Sequence, residues 1–241
     1  MGSVMYTNEE DDAEGGGERW VKNNRDSKKT NSLKSLKKSL EARWKRKKKD
    51  AARNFGGTYL HFAAHLGDVN AIKMLIGDNA EVNSVDAWNR TALEWAAEYG
   101  HVDVAKVLIQ NGAKVNAIEK GELTALLLAT CSGHVDIVKL LLQSGAKVNT
   151  ADIKGRTVLY LALQNGYPDV ATLLMQKGAD VNADDHRNRT PLFILQCANP
   201  IYSEIPKMVL QLLCFGAEIN ESSVTKDRDP WFPRRIHDML M

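Results

Sequence analysis

The chain has 241 residues, of which 44% are hydrophobic, and a formal net charge of only +2. No apolar run approaches the roughly 18 residues that a membrane-spanning helix needs, and no secretory signal stands at the start, so a soluble chain is expected. Cys131, Cys197 and Cys214 are odd in number and spaced for neither a zinc site nor a disulfide framework, which points to a reducing compartment, cytoplasm or nucleus.

In chain order, the small net charge resolves into blocks of opposite sign. Residues 1–20 hold six acids against Arg19, a net −5, and residues 21–53 hold fourteen lysines and arginines against three acids, a net +11. With Gly15-Gly16-Gly17 and few apolar residues, 1–30 is expected to be a disordered leader. The opening Met-Gly-Ser-Val-Met-Tyr misses the myristoylation pattern, because Tyr6 occupies the place of a serine or threonine. A basic amphipathic helix is predicted over 31–53. Leu33, Leu36, Leu40 and Trp44 fall within an arc of roughly 80° at 100° per residue. The cluster Lys45, Arg46, Lys47, Lys48 and Lys49 follows, the composition of a nuclear localisation signal. An import receptor or an acidic partner is the expected ligand there. A polyanion contact, a calmodulin-like partner and a merely solvated helix stay open as alternatives, and no specific nucleic-acid or membrane binding is expected.

From about residue 54 the sequence repeats itself. Thr58, Thr91, Thr124, Thr157 and Thr190 stand 33 residues apart, Leu60, Leu93, Leu126, Leu159 and Leu192 keep step, and Asn83, Asn116, Asn149 and Asn182 share the period. Gly67, Gly100, Gly133 and Gly166 close one apolar segment of each unit. Gly112, Gly145 and Gly178 close the other, with Asn79 in the place of a glycine once. Each unit therefore reads as two short helices: threonine caps the first, and glycine supplies the left-handed residue that ends a helix. The runs Val107-Leu108-Ile109, Leu140-Leu141-Leu142 and Leu173-Leu174-Met175 are too short to be stable except when stacked on neighbours.

The frame T-x-L-x-x-A-x-x-x-G-H followed by L-L-x-x-G-A-x-V-N resembles the ankyrin repeat family. The resemblance covers 54–222, as five repeats at 58–90, 91–123, 124–156, 157–189 and 190–222. The fold it implies is an all-α ankyrin-repeat solenoid of helix–turn–helix pairs with hairpin loops. The fifth repeat departs from the pattern at Cys197-Ala198-Asn199-Pro200, where an insertion enlarges the inter-helix loop before Pro206. The family tetrapeptide T-P-L-H is only partly kept (T-Y-L-H at 58, T-A-L-E at 91, T-P-L-F at 190). Residues 223–241 are expected to cap the open end of the stack through Trp231 and Phe232, with Ile236, Met239 and Leu240 on one helical face, and a free linear motif for a partner stays open as the alternative.

Candidate catalytic groups dissolve into this frame. His61 and His65 have a metal-ligand spacing, but Phe62 occupies the place of the glutamate in H-E-x-x-H. Cys131-Ser132-Gly133-His134 is a repeat turn, in which His134, like His101, is expected to hydrogen-bond locally. Glu94 lacks a second carboxylate at matched spacing and reads as a solvated or capping group. Gly15-Gly16-Gly17 lacks the Lys-Ser or Lys-Thr of a phosphate loop. No catalytic residue, metal site or cofactor is assigned.

The resemblance implies a non-catalytic scaffold or adaptor for a protein partner, monomeric and without a cofactor, acting in the cytoplasm or as a nuclear regulator. Two further readings stand beside it. One is a substrate-recognition subunit of a ubiquitin ligase, weakened because only 21 residues follow Asn220, and the other is an enzyme. The expected docking face is the one opposite Leu93, Ala96 and Ala97: Trp95, Glu98 and Tyr99, the row-mates Phe62 and Leu128, and Trp88 and Arg90 at the hairpin tip. The resemblance also implies that Asn83, Asn182 and Asn220 are candidates for asparaginyl hydroxylation. Each has a leucine eight residues before it and an acid two before it.

Overall fold

In the computed structural model the described residues are 31–40, 42, 57–118, 123–197 and 205–218. The leader, Trp44, the cluster Lys45–Lys49, residues 119–122, residues 198–204 of the insertion, Asn220 and the tail 219–241 lie outside them. The chain divides into two units, Met1–Ala52 and Arg53–Met241. In the first, residues 31–40 form a helix, α1, in which Leu40 is buried, Leu33 and Leu36 are half-buried, and Lys34, Ser35, Lys38 and Ser39 are exposed.

The second unit is a ladder of short helices in pairs: α2 (Tyr59–Leu66) with α3 (Val69–Gly77), α4 (Ala92–Glu98) with α5 (Val102–Gln110), α6 (Ala125–Cys131) with α7 (Val135–Gln143), α8 (Val158–Gln164) with α9 (Pro168–Gln176), and α10 (Pro191–Cys197) with α11 (Ile205–Cys214). The first helices pack on one another in the order α2, α4, α6, α8, α10, and the second helices in the order α3, α5, α7, α9, α11, so two layers run the length of the unit. Among the described residues no strand forms; the hairpins contribute only the isolated bridges Val85–Thr91 and Ala151–Thr157.

Helices of seven to ten residues are marginal on their own and need caps and neighbours. Thr91, Thr124 and Thr157 are extended N-caps whose hydroxyls accept the N–H groups of Glu94, Leu127 and Tyr160 at 3.3–3.4 Å. The core is the leucine ladder Leu60, Leu93, Leu126, Leu159 and Leu192, with Ala63, Ala96, Ala129 and Ala162 letting adjacent first helices approach, and Leu108, Leu141, Leu174 and Leu212 from the second layer. Truncating any of these leucines costs about 2–5 kcal/mol in general experience.

Polar links tie each repeat to the next. Gly100 and Gly133 have φ of 79° and 74°, and a Cβ there would lie 2.8 Å from the His134 ring and 2.5 Å from the Tyr167 ring, so glycine is required twice over. The rings of His101 and His134 reach back to the carbonyls of His65 and Glu98, at 3.1 Å each. These hydrogen bonds join adjacent repeats, which corrects the expectation that they are local. The hairpin asparagines do the same. The Asn83 amide donates to the Gly112 carbonyl and accepts from the Lys114 N–H, Asn116 does so with Gly145 and Lys147, and Asn182 with Gly216 and Glu218.

Candidate protein-binding site

The site begins at a carboxylate. Asp86 is buried, and its Oδ1 accepts the backbone N–H groups of Trp88 and Arg90, both at 2.9 Å, which shapes the hairpin ahead of α4. The turn is completed by Asn89 in the left-handed region, at φ 70°. Oδ2 accepts the indole N–H of Trp95 at 2.9 Å and lies 3.4 Å from the Arg90 guanidinium. One side chain thereby fixes the tip, the arginine and the tryptophan of the first turn of α4.

Arg90 packs over the Trp95 ring, with Trp88 to one side. Its guanidinium carbon is 3.5 Å from the centroid of Trp95 and 5.0 Å from that of Trp88, and its Nη1 donates to Glu98 Oε2 at 3.0 Å. Trp95 stacks in turn on Tyr99, 5.8 Å away and within 9° of parallel, and Tyr99 is followed by His101 at 6.5 Å and 15°. His65, from the preceding repeat, meets Tyr99 and Trp95 edge-on at 4.3 and 5.3 Å. The result is a column of planar groups, held by two carboxylates, in which Tyr99 is 44% exposed. Stacked cations of this kind contribute about 0.5–2 kcal/mol, most where water is excluded.

Five of the sequence-derived residues, Trp88, Arg90, Trp95, Glu98 and Tyr99, are therefore one constellation. Trp95 is corrected in its role: expected in the lining of a groove, it is 5% exposed and forms the floor under Arg90 and Tyr99. The row it belongs to is mixed, since Leu161 and Ile194 are also buried while Phe62 and Leu128 are half-buried. Phe62 pairs edge-on with Tyr59 at 6.3 Å. Of the two roles expected for Glu94, solvated or capping, the structure shows capping. Glu94 is buried, and its Oε2 accepts the Thr91 N–H at 2.6 Å and the Thr91 hydroxyl at 3.0 Å, closing the cap of α4. His61 does the equivalent work for α2: Nδ1 accepts from the Thr58 N–H at 3.1 Å and Nε2 faces the Arg90 carbonyl at 3.0 Å. Burial holds the His61 imidazole below its ordinary range, consistent with a neutral ring protonated on Nε2.

Sequence reasoning missed Asp86 and His65. For the aspartate a signal was present: Asp86, Asp152 and Asp185 each stand four residues before Arg90, Arg156 and Arg189, and each arginine precedes a capping threonine. In the later hairpins the same clamp closes through Arg156 Nη2 on Asp152 at 2.6 Å and Arg189 Nη2 on Asp185 at 2.5 Å. Arg156 Nη1 reaches Gln164 at 3.2 Å, as Arg90 reaches Glu98. The intervening repeat has Glu119 and Leu123 at these positions in sequence. Burial alone would raise the Asp185 carboxyl. The Arg189 guanidinium, the Arg189 and Arg187 amides and the Tyr160 hydroxyl instead hold it down to about 2. Burial, then the hydrogen bond to Asp185, pushes the Tyr160 phenol up to about 12.

A family model described as ankyrin repeats, in three copies, matches residues 25–119 and 116–185, more than half of the chain. The chain belongs to the ankyrin-repeat family. The match begins within the basic segment and ends before α10, whose pairing with α11 continues the ladder. Ankyrin repeats are generally protein–protein interaction modules and typically non-catalytic scaffolds. No curated protein matches the chain. Among the described residues no helix is long and apolar enough to cross a membrane.

Proposed function

We propose that the protein is a non-catalytic adaptor that holds a protein partner against the Trp88–Arg90–Trp95–Tyr99 column. The observation that carries this reading is the partial exposure of the aromatic stack at Tyr99, over a Trp95 whose indole N–H is already held by Asp86. Tyr99 offers an apolar face at little further entropic cost, the property that makes tyrosine and tryptophan dominate interfaces. Phe62 and Leu128 flank it as secondary contacts. The basic cluster Lys45–Lys49 acts in this reading as an import signal that takes the adaptor and its cargo into the nucleus, and Asn83, Asn182 and Asn220 are substrates of an asparaginyl hydroxylase.

The test is quantitative affinity capture from cells with the parent chain, Tyr99→Ala and Trp88→Ala, with thermal melts of each. The expected result is loss of at least one abundant partner with the melt of Tyr99→Ala within a few degrees of the parent. Unchanged capture by both variants sinks the proposed site.

A further inference from the structure

The hairpins ahead of α8 and α10 differ from the hairpin ahead of α4. In place of Ala87 and Trp88 they present Ile153-Lys154 and His186-Arg187. Lys154, His186 and Arg187 are all exposed, Ile153 is 58% exposed, and Arg156 and Arg189 stand partly exposed behind them. The two tips are joined: the His186 N–H donates to the Lys154 carbonyl at 3.0 Å, and the His186 ring fills the space beside Gly155, whose φ is 74°. Lys154 and Arg187 are thus carried by adjoining, mutually bonded turns.

The charges here are layered. Asp152 and Asp185 are buried beneath the tips, each taken up by the arginine of its own hairpin and by two backbone N–H groups. Facing outward are Lys154 and Arg187, the outer edges of two arginines and His186, against one exposed acid, Asp184. Buried carboxylates orient the arginines without cancelling the outward-facing cations, so the surface a partner meets is basic with an aliphatic centre at Ile153. The sequence of the preceding repeat has Lys120-Gly121 at the positions of Ile153-Lys154.

We propose that these two tips bind an acidic segment of a partner protein, aspartate- or glutamate-rich and with an apolar residue to cover Ile153. The inference rests on the reading of the array as a protein-binding scaffold but uses a different surface from the Tyr99 column. Charge complementarity of this kind sets orientation and association rate as much as affinity, and it weakens as salt screens the exposed pairs.

The probe is a random glutamate–tyrosine copolymer, labelled for fluorescence anisotropy, with the full-length chain carrying Lys45–Lys49 as alanines so that the basic cluster does not compete. Lys154→Glu with Arg187→Glu should weaken binding about ten-fold or more, and Lys154→Gln with Arg187→Gln less, with melts unchanged because both side chains lie in solvent. Ile153→Ala should weaken binding by a smaller factor that does not vary with salt. Affinity of the double glutamate variant within about two-fold of the parent overturns the proposal, as does equal binding of polylysine. Tyr99→Ala separates the two readings. If that variant still captures every cellular partner while the charge reversal abolishes copolymer binding, the Tyr99 site fails and the tips stand.

Discussion

Arg90 shows how a single residue can organise a surface without being the part a partner touches. Its guanidinium covers Trp95 with Trp88 to one side, and its charge is divided between Asp86 and Glu98. Arg90→Ala should cost about 1–3 kcal/mol in urea unfolding, because stacking is lost while Glu98 and Asp86 keep their charges. Arg90→Lys keeps the charge but not the plane and should restore less than half of that. Full restoration by lysine would mean that charge alone matters. A second residue makes the opposite case. Thr130 is completely buried and its hydroxyl has no hydrogen-bond partner among the described residues, whereas the equivalent positions 64 and 97 are alanine. Thr130→Ala should therefore raise stability by up to about 1 kcal/mol, and Thr130→Val should be neutral or better, read from the midpoint of the same unfolding curve.

At the scale of elements, the hairpin clamps make part of the stability depend on pH. The Asp185 carboxyl, ordinarily near 3.8, is held at about 2 in the folded chain, so the unfolded chain binds more protons between those values. The stabilisation is fully present above about 4 and is lost as pH falls toward 2. His61 acts in the same direction at higher pH. Burial lowers its affinity for a proton, so stability falls as pH drops below the ordinary imidazole value of 6.5. Urea midpoints followed from pH 7 to pH 2 should decline in two stages, with His61→Gln flattening the first and Asp185→Asn the second. A decline unaltered by either variant would place the acid sensitivity elsewhere. The helices themselves were legible from sequence: the threonine ladder marks the N-caps and the glycines mark the left-handed ends, because both jobs admit few residue types. The site was legible only in part. Trp95, Glu98 and Tyr99 were found from helical spacing and Trp88 and Arg90 from the resemblance, but spacing does not say which member of a helix face is roofed over, and Trp95 is roofed by Arg90. Asp86 went unnoticed because a buried acid in a turn looks like any polar loop residue until its three donors are seen.

For the whole molecule, the separation into a basic unit and a repeat unit allows address and recognition to be tested apart. A fluorescent fusion with Lys45–Lys49 changed to alanine should lose nuclear accumulation while still capturing partners, if the cluster is an import signal. Glutamate at Ser35 and Ser39, both exposed on α1, should only reduce accumulation, since charges there act over roughly 8 Å at physiological ionic strength. Accumulation that survives the alanine change, beyond the passive diffusion of a small protein, removes the import reading.

The glycine notches give the ladder a reading order. Each notch is filled by a ring from the following repeat, His101 at Gly67, His134 at Gly100 and Tyr167 at Gly133, so neighbouring repeats meet as lock and key in one direction. The first two keys are the same imidazole and make the same bond to a carbonyl 36 residues earlier. The third is a phenol. Repeats that begin at Thr91 and Thr124 can therefore be exchanged at their histidine ends without changing the ring that meets the notch, whereas exchange with the repeat that begins at Thr157 puts a phenol in the place of an imidazole. Lengthening of the ladder by duplication of either histidine repeat would reuse a ring and a glycine notch it already has.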